Sequence, residues 1–267
     1  MQAVNGIPIL GYGTYPVTGQ ECTDCVLMAL DAGFRHIDTA QMYGNEADVG
    51  HALAGVPRDS VFVTTKIDRG NTNKRRFNSS LARSLDDLGL SAVDLLLIHW
   101  PPDERNFNDA IDALCAAQDR KLARMIGISN FNTTLIRRAV ARASLPLVVD
   151  QVEFHPLLDQ SKVLAEARAN GLAVTAYSPL GRGAVLRDPV IVGIARRLDR
   201  PPSEIVLRWI TQQGVIAVPH TTKRANMESN LRAITFDLSD ADMKAVSALG
   251  QQKRRFISPA GWATWDD

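Results

Sequence analysis

The sequence predicts an α/β fold in which eight parallel strands and their helices close into a (β/α)8 barrel, a TIM barrel. The chain has 267 residues, close to the roughly 250 that one such barrel needs. Short runs rich in Val, Ile and Leu alternate with longer stretches of helical periodicity along the chain. This alternation indicates a parallel sheet, and eight units in this length favour a barrel. We therefore expect a single domain over residues 1–267.

The predicted elements follow one another in a regular order. Strands are predicted over residues 9–13, 34–38, 61–66, 93–99, 125–129, 147–152, 173–177 and 216–218. Helices are predicted over residues 21–32, 46–53, 74–88, 108–118, 133–142, 162–170, 189–197 with 204–212, and 224–232. An extra C-terminal helix over 240–249 follows the barrel, and a tail over 251–267 ends the chain.

Turn residues support these boundaries. Gly33, Gly89 and Gly171 stand just past predicted helix ends, where left-handed caps are typical. The pair Asn5-Gly6 lies between apolar residues and predicts an N-terminal β-hairpin. We expect this hairpin to cover the floor of the barrel.

Composition excludes several classes of protein. Lys plus Arg number 30 and Asp plus Glu 29, and this balance argues against nucleic-acid binding and against disorder. No apolar run approaches the ~18 residues of a membrane span, and the first residues do not resemble a signal peptide. We expect a cytoplasmic monomer without a membrane or nucleic-acid partner.

Two short motifs resemble those of other protein classes, and both resemblances are weak. Cys22 and Cys25 form a C-x-x-C pair, which we interpret as two ordinary helix residues because nothing nearby resembles a redox domain. The run from Gly11 to Pro16 begins like the glycine-rich turn of an open dinucleotide-binding sheet. It lacks the third glycine, and Pro16 stands where the helix should open. No spacing of Cys and His predicts a metal site.

Polar side chains end six of the predicted strands. Asp38, Lys66 and His99 end three successive ones. In a TIM barrel the carboxyl ends of the strands meet at one mouth, which carries the chemistry. Taken singly, each residue also fits a structural role: Asp38 in a salt bridge, Lys66 exposed with its stem on the surface, and His99 as a neutral core histidine. Their convergence favours a shared site.

Motifs around these residues resemble one enzyme family. Asp38 with Tyr43-Gly44-Asn45-Glu46, Thr65-Lys66, and Leu97-Ile98-His99-Trp100-Pro101 resembles the catalytic tetrad of the aldo-keto reductases and its surroundings. The segments 127–131 and 219–230 extend the resemblance, which runs from Gly11 to about Pro259. Within the family, the chain length and short loops are most similar to the bacterial 2,5-diketo-D-gluconate reductases, especially the B type and the related methylglyoxal reductases.

The resemblance implies NADPH-dependent reduction of a small aldehyde, ketone or dicarbonyl substrate to an alcohol. It implies Tyr43 as general acid, Lys66 as the residue that lowers its pKa, Asp38 as the partner of Lys66, and His99 as the residue that orients the carbonyl. The chemistry agrees with these roles. Hydride addition leaves an oxyanion that needs a proton, and an ammonium near a phenol lowers its pKa from about 10. A hydrogen-bond donor stabilises the developing charge.

The resemblance also implies a cofactor site. Tyr177 is expected to stack on the nicotinamide, and Ser129, Asn130 and Gln151 to hold its carboxamide. Further contacts are expected from Gly13, Thr14, Ser178, Leu180, Gly181, Thr221, Thr222, Lys223, Arg224, Asn226, Ser229 and Asn230. A helix N-terminus favours an anion such as the 2′-phosphate of NADPH.

The phosphate loop departs from the pattern of the family. Many members carry Lys and Arg where this chain has His220 and Asn226. Lys223 and Arg224 can replace the two missing charges, so NADPH is favoured and NADH is the alternative.

Aromatic residues are expected to form the substrate pocket. Tyr15, Trp100 and Trp262 are the predicted substrate-binding residues, and Trp265 is a further candidate for the wall. Many family members have Trp where this chain has Asp68, which predicts a more open or more polar pocket. Arg69 and Arg255 are candidate partners for a substrate carboxylate.

Two other functions stay open at this point. A relative of the family can serve as a non-catalytic NADP(H)-binding subunit and keep every motif. A barrel glycoside hydrolase would need two carboxylates across the scissile bond, for which Asp38, Asp150 and Glu153 are candidates. Tyr43, Lys66 and His99 have no role in that chemistry.

Overall fold

The chain begins with the hairpin that the Asn-Gly pair predicts. In the computed structural model, which describes residues 2–266, β1 (Ala3–Val4) pairs antiparallel with β2 (Ile7–Pro8). Asn5 and Gly6 have φ of 49° and 80°, as a type I′ turn requires. The Asn5 amide donates to the carbonyls of Val148 (3.1 Å) and Gly171 (2.9 Å) at the start of later strands. The hairpin therefore covers the barrel floor, as predicted.

Eight further strands form one parallel sheet that closes into a barrel. They are β3 (Tyr12–Gly13), β4 (His36–Asp38), β5 (Phe62–Ile67), β6 (Val93–Ile98), β7 (Ala123–Ser129), β8 (Leu147–Glu153), β9 (Ala173–Tyr177) and β10 (Ile216–Ala217). Each strand pairs with the next along the chain. A bridge between Leu10 and Ala217 joins the first strand to the last, and Ala217 N donates to Ile9 O at 3.0 Å. The predicted (β/α)8 barrel is confirmed.

Helices pack around the outside of the sheet. They are α1 (Gly19–Ala32), α2 (Glu46–Leu53), α3 (Phe77–Leu88), α4 (Phe107–Asp119), α5 (Thr133–Arg142), α6 (Ser161–Ala169), α7 (Pro189–Arg197), α8 (Pro202–Gln212), α9 (Arg224–Arg232) and α10 (Asp240–Ser247). The predicted extra helix is α10, which continues as a 3₁₀ turn, Ala248–Gln252. Within residues 2–266 every helix is too short or too polar to span a bilayer.

Local chemistry explains where the elements start and stop. Gly33, Gly89 and Gly171 have φ of 117°, 66° and 77°, as the predicted left-handed ends require. The third helix begins at Phe77 and not at residue 74. The Asn73 carboxamide oxygen accepts from the backbone N–H of Arg76 at 3.2 Å, which favours a turn before the helix.

Inward positions of the barrel strands change character from floor to mouth. At the floor the inward side chains form an apolar cluster of Ile7, Leu95, Leu97, Val149, Ala173 and Ile216. Because strand side chains alternate with a period of two, the inward positions farther along these strands include His99, Gln151 and Tyr177. The parallel strands thus bring their polar ends to one mouth.

The C-x-x-C pair lies away from this mouth. Cys22 and Cys25 are buried on α1. Burial raises the pKa of Cys25 and raises that of Cys22 to about 12. Both thiols are therefore poor nucleophiles at neutral pH, which agrees with the structural interpretation.

Candidate active site

Lys66 lies at the centre of the barrel mouth and is fully buried. Its ammonium donates to Asp38 Oδ1 at 2.5 Å, to Thr39 O at 2.8 Å and to Tyr43 Oη at 3.4 Å. These three acceptors match the three N–H groups of an ammonium. Burial by itself would lower the pKa of Lys66, but Asp38 and Tyr43 raise it above its ordinary value. Lys66 is therefore a cation at neutral pH.

The second Asp38 oxygen has its own partner. Gln151 Nε2 donates to Asp38 Oδ2 at 2.7 Å. Asp38 ends β4 and Gln151 lies on β8, so this hydrogen bond crosses the barrel. It holds the carboxylate that in turn holds Lys66.

Tyr43 reaches the mouth from a loop and not from a strand. It ends the 3₁₀ turn Gln41–Tyr43, and Gly44 closes the turn with φ of 66°. Asn45 holds the loop in place: its Oδ1 accepts from Thr39 Oγ1 at 2.7 Å, and its Nδ2 donates to Val17 O at 2.9 Å. The position of Tyr43 thus depends on contacts between loops.

Burial and the Lys66 ammonium act in opposite directions on the pKa of Tyr43. Burial raises the pKa of Tyr43 above its ordinary value, although Lys66 acts in the opposite direction. Lys66 thus acts in the predicted direction, and desolvation of the phenolate outweighs its attraction to the ammonium. Tyr43 therefore carries its proton at neutral pH, and its oxygen accepts from Lys66.

His99 stands directly after β6 and faces Tyr43. The two rings meet edge to face with centroids 5.5 Å apart. Burial, with a further contribution from Lys66, lowers the pKa of His99 well below its ordinary value. The imidazole is therefore neutral, with one N–H to donate. Its Nδ1 is buried without a hydrogen-bond partner among residues 2–266.

A second hydrogen-bond network links four predicted cofactor residues. Tyr177 Oη donates to Asn130 Oδ1 at 2.7 Å, Asn130 Nδ2 donates to Ser129 Oγ at 3.1 Å, and Ser129 Oγ donates to Gln151 O at 2.7 Å. Asn130 and the neighbouring Ser178 have φ of 66° and 46°. Such conformations are unfavourable for residues other than glycine and cluster at functional sites.

These residues border a cavity of about 550 Å³, a size typical of small-ligand sites. Eleven of the predicted site residues line it: Gly13, Thr14, Tyr15, Asp38, Tyr43, His99, Trp100, Asn130, Tyr177, Ser178 and Trp262. Lys66, Ser129 and Gln151 lie behind this wall and contact it through the hydrogen bonds above. Leu180 and Gly181 follow the lining residue Pro179, and Gly181 packs beside Phe256.

Apart from His220, the predicted phosphate loop lies outside the lining of this cavity. Lys223 precedes α9 as its N-cap residue and is exposed. Arg224 pairs with Asp31 (2.6 Å) and Glu228 (2.9 Å), so its charge is partly engaged.

Other predicted residues of the loop form hydrogen bonds within the protein. The hydroxyl of Thr221 accepts from Asn226 Nδ2 at 3.2 Å, and Ser229 Oγ donates to Glu204 at 2.8 Å. Thr222 is exposed, and Asn230 is buried on α9. The structure therefore brings the tetrad and the carboxamide residues together, whereas the predicted phosphate-binding residues do not line the cavity.

Nine lining residues were not among the predicted site residues. They are Met42, Pro179, Arg182, Val218, His220, Phe256, Ile257, Ser258 and Pro259. Strand alternation beyond Ile216 points to Val218 and His220, so that signal was present in the sequence. The tail residues 256–259 follow no periodic element, and only the folded chain places them at the mouth.

The candidate cations for a substrate carboxylate do not line the cavity. The Arg69 guanidinium pairs with Asp103 and lies 5.8 Å from the Trp262 ring. The Arg255 guanidinium lies 3.8 Å from the Trp265 ring. Trp265 itself packs edge to face on Trp100 and forms a second layer of the wall. These side chains support the pocket from outside.

The carboxylates suggested for glycoside hydrolysis do not face one another across the cavity. Asp38 is engaged by Lys66 and Gln151. Asp150 has the opposite strand parity from Gln151, and its Oδ1 accepts from Phe131 N at 3.5 Å. Glu153 is fully buried beneath the C-terminal tail. The geometry argues against that reaction.

Comparison with known proteins agrees with this site. The sequence profile described as "Aldo/keto reductase family" matches residues 6–251. The chain belongs to the aldo-keto reductase family. It is therefore an oxidoreductase of carbonyl compounds, in a class whose members generally use NADP(H).

Individual relatives cover nearly the whole chain. Methylglyoxal reductase DkgB of Escherichia coli O157:H7 is 41% identical over 97% of this chain and 99% of its own length. A crystal structure provisionally described as a 2,5-diketo-D-gluconic acid reductase B superimposes with a TM-score of 0.97 at 41% identity, covering 100% of this chain and 98% of that one. The Bombyx mori aldo-keto reductase in complex with NADP gives a TM-score of 0.89 at 31% identity, covering 96% and 93%.

Proposed function

We propose that the protein reduces small aldehydes, ketones or dicarbonyl compounds to alcohols with hydride from NADPH, and that Tyr43 is the general acid. One observation carries the proposal: the buried Lys66 ammonium contacts both Asp38 and Tyr43 Oη beside a cavity of substrate size. Asp38 offsets the cost of burying this cation, and a cation held against a phenol suits proton transfer because it stabilises the phenolate.

The residues at the mouth fit a nicotinamide dinucleotide. When bound, NADPH supplies the hydride. The Tyr177 ring borders the cavity and would stack on the nicotinamide, while Ser129, Asn130 and Gln151 would hold its carboxamide. Gly13 lines the cavity, and its lack of a side chain makes room for the neighbouring backbone, since a Cβ there would lie 3.0 Å from Val218 O. Thr14, Ser178, Leu180 and Gly181 would continue this site.

The tetrad then handles the proton. Tyr43 Oη accepts from Lys66, so its own O–H is available to the carbonyl oxygen of a substrate. As that oxygen gains negative charge, Tyr43 gives up its proton, and Lys66 stabilises the phenolate that remains. Asp38 keeps Lys66 in place. Neutral His99 donates a hydrogen bond to the same oxygen and orients the carbonyl.

Preference for NADPH over NADH rests on the loop before α9. Lys223 is its exposed N-cap residue and makes no ion pair within residues 2–266. Together with the helix N-terminus it would attract the 2′-phosphate, with smaller contributions from Thr221, Thr222, Arg224, Asn226, Ser229 and Asn230. His220 adds little positive charge, because burial lowers its pKa. NADH therefore stays the alternative cofactor.

The substrate class follows from the pocket and from the relatives. Tyr15, Trp100 and Trp262 line the cavity beside Tyr43, which suits small, partly apolar carbonyl compounds. The similar proteins named above support methylglyoxal and 2,5-diketo-D-gluconate as the first substrates to test.

A turnover assay tests the proposal. Purified protein is mixed with NADPH or NADH and with methylglyoxal, an aromatic aldehyde or 2,5-diketo-D-gluconate, and loss of the reduced nicotinamide absorbance is followed. We expect substrate-dependent loss that is faster with NADPH. Tight NADPH binding without turnover of any carbonyl would instead favour a non-catalytic binding subunit, and absence of binding would refute the proposal.

The predictions of a single domain over residues 1–267 and of a monomer stay predictions. Light scattering after size-exclusion chromatography measures the second directly. A mass well above the 29.2 kDa of one chain would show that it is wrong.

A further inference from the structure

The C-terminal segment 253–266, here called the strap, crosses the mouth of the cavity. Its residues Phe256, Ile257, Ser258, Pro259 and Trp262 line the cavity. The strap contains no regular helix or strand within its described residues. Its position must therefore come from contacts with the barrel.

Glu153, the last residue of β8, makes the most buried of these contacts. Its side chain is fully buried. Oε1 accepts from Phe256 N at 2.7 Å, and Oε2 accepts from Ile257 N at 2.9 Å. His155 Nε2 lies 2.9 Å from Oε1. One carboxylate thus holds two consecutive backbone amides of the strap.

The backbone of β8 relates this contact to the tetrad. Gln151 and Glu153 are two residues apart on one strand, so their side chains point to the same side. Gln151 holds Asp38 through a hydrogen bond of 2.7 Å, and Glu153 holds the strap. The wall of the pocket is therefore set by the same strand that supports the tetrad.

A second, more exposed contact fixes the far end of the strap. Asp266 Oδ2 accepts from Thr133 N at 2.8 Å, and Asn132 Nδ2 donates to Thr264 Oγ1 at 2.9 Å. Between the two attachments, the Trp262 ring packs on Trp100 with centroids 5.7 Å apart. Because these groups are partly in solvent, they hold less strongly than the buried carboxylate.

We propose that Glu153 is a positioning residue that sets substrate selectivity by holding the strap against the cavity. This inference rests on the proposed carbonyl reduction and adds to it the residue that decides which carbonyl compounds fit. Phe256 and Ile257 narrow the pocket only while their amides are bound to Glu153. Released, the strap gives a wider pocket that holds a small dicarbonyl compound poorly and admits bulkier aldehydes.

The test replaces the carboxylate and measures selectivity. In Glu153→Gln one oxygen becomes an NH₂ group, so one of the two strap amides loses its acceptor. We expect KM for methylglyoxal to rise about tenfold, while kcat and the Kd of NADPH change less than about twofold. KM for an aromatic aldehyde should stay constant or fall. Glu153→Asp keeps the charge and should recover part of the loss.

Limited trypsin digestion reports on the strap without turnover. Lys253 and Arg254 lie exposed just before the held amides. In Glu153→Gln we expect cleavage there, followed by mass spectrometry, to be at least about fivefold faster than in wild type. Glu166→Gln is the matched control, since Glu166 pairs with Arg137 on the outer surface.

A second variant removes the contact from the strap side and leaves the barrel core intact. Ile257→Pro deletes the N–H that Glu153 Oε2 accepts, and Ile257→Val keeps it. The proline variant should repeat the change in selectivity and the valine variant should not.

The outcomes separate the two proposals. Failure of the wild type to reduce any carbonyl compound would refute the proposed function, whatever trypsin shows. An active wild type whose selectivity is unchanged in Glu153→Gln and Ile257→Pro would refute the role of Glu153 alone. Faster cleavage without a change in selectivity would refute it as well, because the strap would then be held by Glu153 without shaping the pocket.

Discussion

The floor and the mouth of the barrel are built by the same strands but do different work. At the floor, Leu95, Leu97 and Val149 face inward and fill the interior with apolar side chains. Farther along the same strands, the inward positions are His99 and Gln151. The floor gains stability from burial, whereas the mouth buries polar groups that must each find a partner.

Polar groups at the mouth therefore depend on their partners, whereas apolar side chains at the floor contribute through packing. Lys66, Asp38 and Gln151 form one chain of hydrogen bonds across the barrel. Removal of one member leaves another buried without compensation. Truncation of an apolar side chain at the floor leaves only a cavity. Substitutions at the two ends of the barrel test this difference.

Tyr43→Phe should have the largest effect on activity. General acid catalysis contributes about 10²–10⁴-fold, so kcat should fall by about three orders of magnitude. Steady-state kinetics with methylglyoxal measure the loss, and NADPH binding should change less than about twofold. Tyr15→Phe is the control, because Tyr15 lies on the rim of the cavity and is 58% exposed. Equal losses in both variants would contradict the assignment.

Lys66→Met should lower the free energy of unfolding in a way that is specific to the mouth. It leaves the Asp38 carboxylate buried without its cation, which typically costs about 3–5 kcal/mol. Urea denaturation measures the change in the free energy of unfolding. Adding Asp38→Asn to this variant should recover much of the stability and none of the activity.

The floor supplies the comparison for that experiment. Leu97→Ala should cost about 2–5 kcal/mol by leaving a cavity, with KM for the carbonyl substrate unchanged. A second floor substitution should destabilise the protein further, without the recovery expected at the mouth. If the second substitution recovered stability both at the mouth and at the floor, or at neither, the proposed difference between the two regions would be wrong.

Acid should destabilise the protein through His36, which lies two residues before Asp38 on β4. Burial lowers the pKa of His36 from 6.5 to about 4. Between these values the unfolded chain binds a proton that the folded protein excludes, so the free energy of unfolding falls as pH falls from about 6.5 to about 4. The full contribution is roughly 3 kcal/mol.

Denaturation curves across that pH range measure the effect. His36→Gln should flatten the dependence, whereas His51→Gln, at an exposed position on α2, should leave it unchanged. The difference between the two variants isolates His36 from other buried histidines. Identical slopes in both would show that His36 does not carry the effect.

Lys223→Ala should give the smallest change. An exposed charge at a helix N-terminus contributes little and is screened by salt, so the Kd of NADPH should rise about threefold to tenfold at low ionic strength. The Kd of NADH should stay constant. Arg224→Ala should matter less, because Arg224 is already paired with Asp31 and Glu228. Equal effects on both cofactors would argue against a 2′-phosphate site here.

Much of the site could be predicted because strands impose a period of two. The ends of the predicted strands identified Asp38, Lys66 and His99, and the structure brings them to one mouth. The motif after Asp38 identified Tyr43 only by resemblance, since a loop has no period. Its place depends on Asn45 contacts with Val17 and Thr39.

The net direction of the Tyr43 pKa could not be read from the sequence. Proximity to Lys66 was foreseeable, but the extent of burial depends on every surrounding element. The contact between Glu153 and the strap was equally hidden. It joins residues 103 and 104 positions apart through backbone amides, which carry no residue-specific signal.

By itself, the sequence determined the barrel, its floor hairpin and the set of polar strand ends, because hydrophobic periodicity and turn chemistry act locally. Only the tertiary structure decided which charges are buried, which cations are already paired and where the tail lies. Those properties arise from desolvation and from contacts between distant segments, and both depend on the whole packed chain.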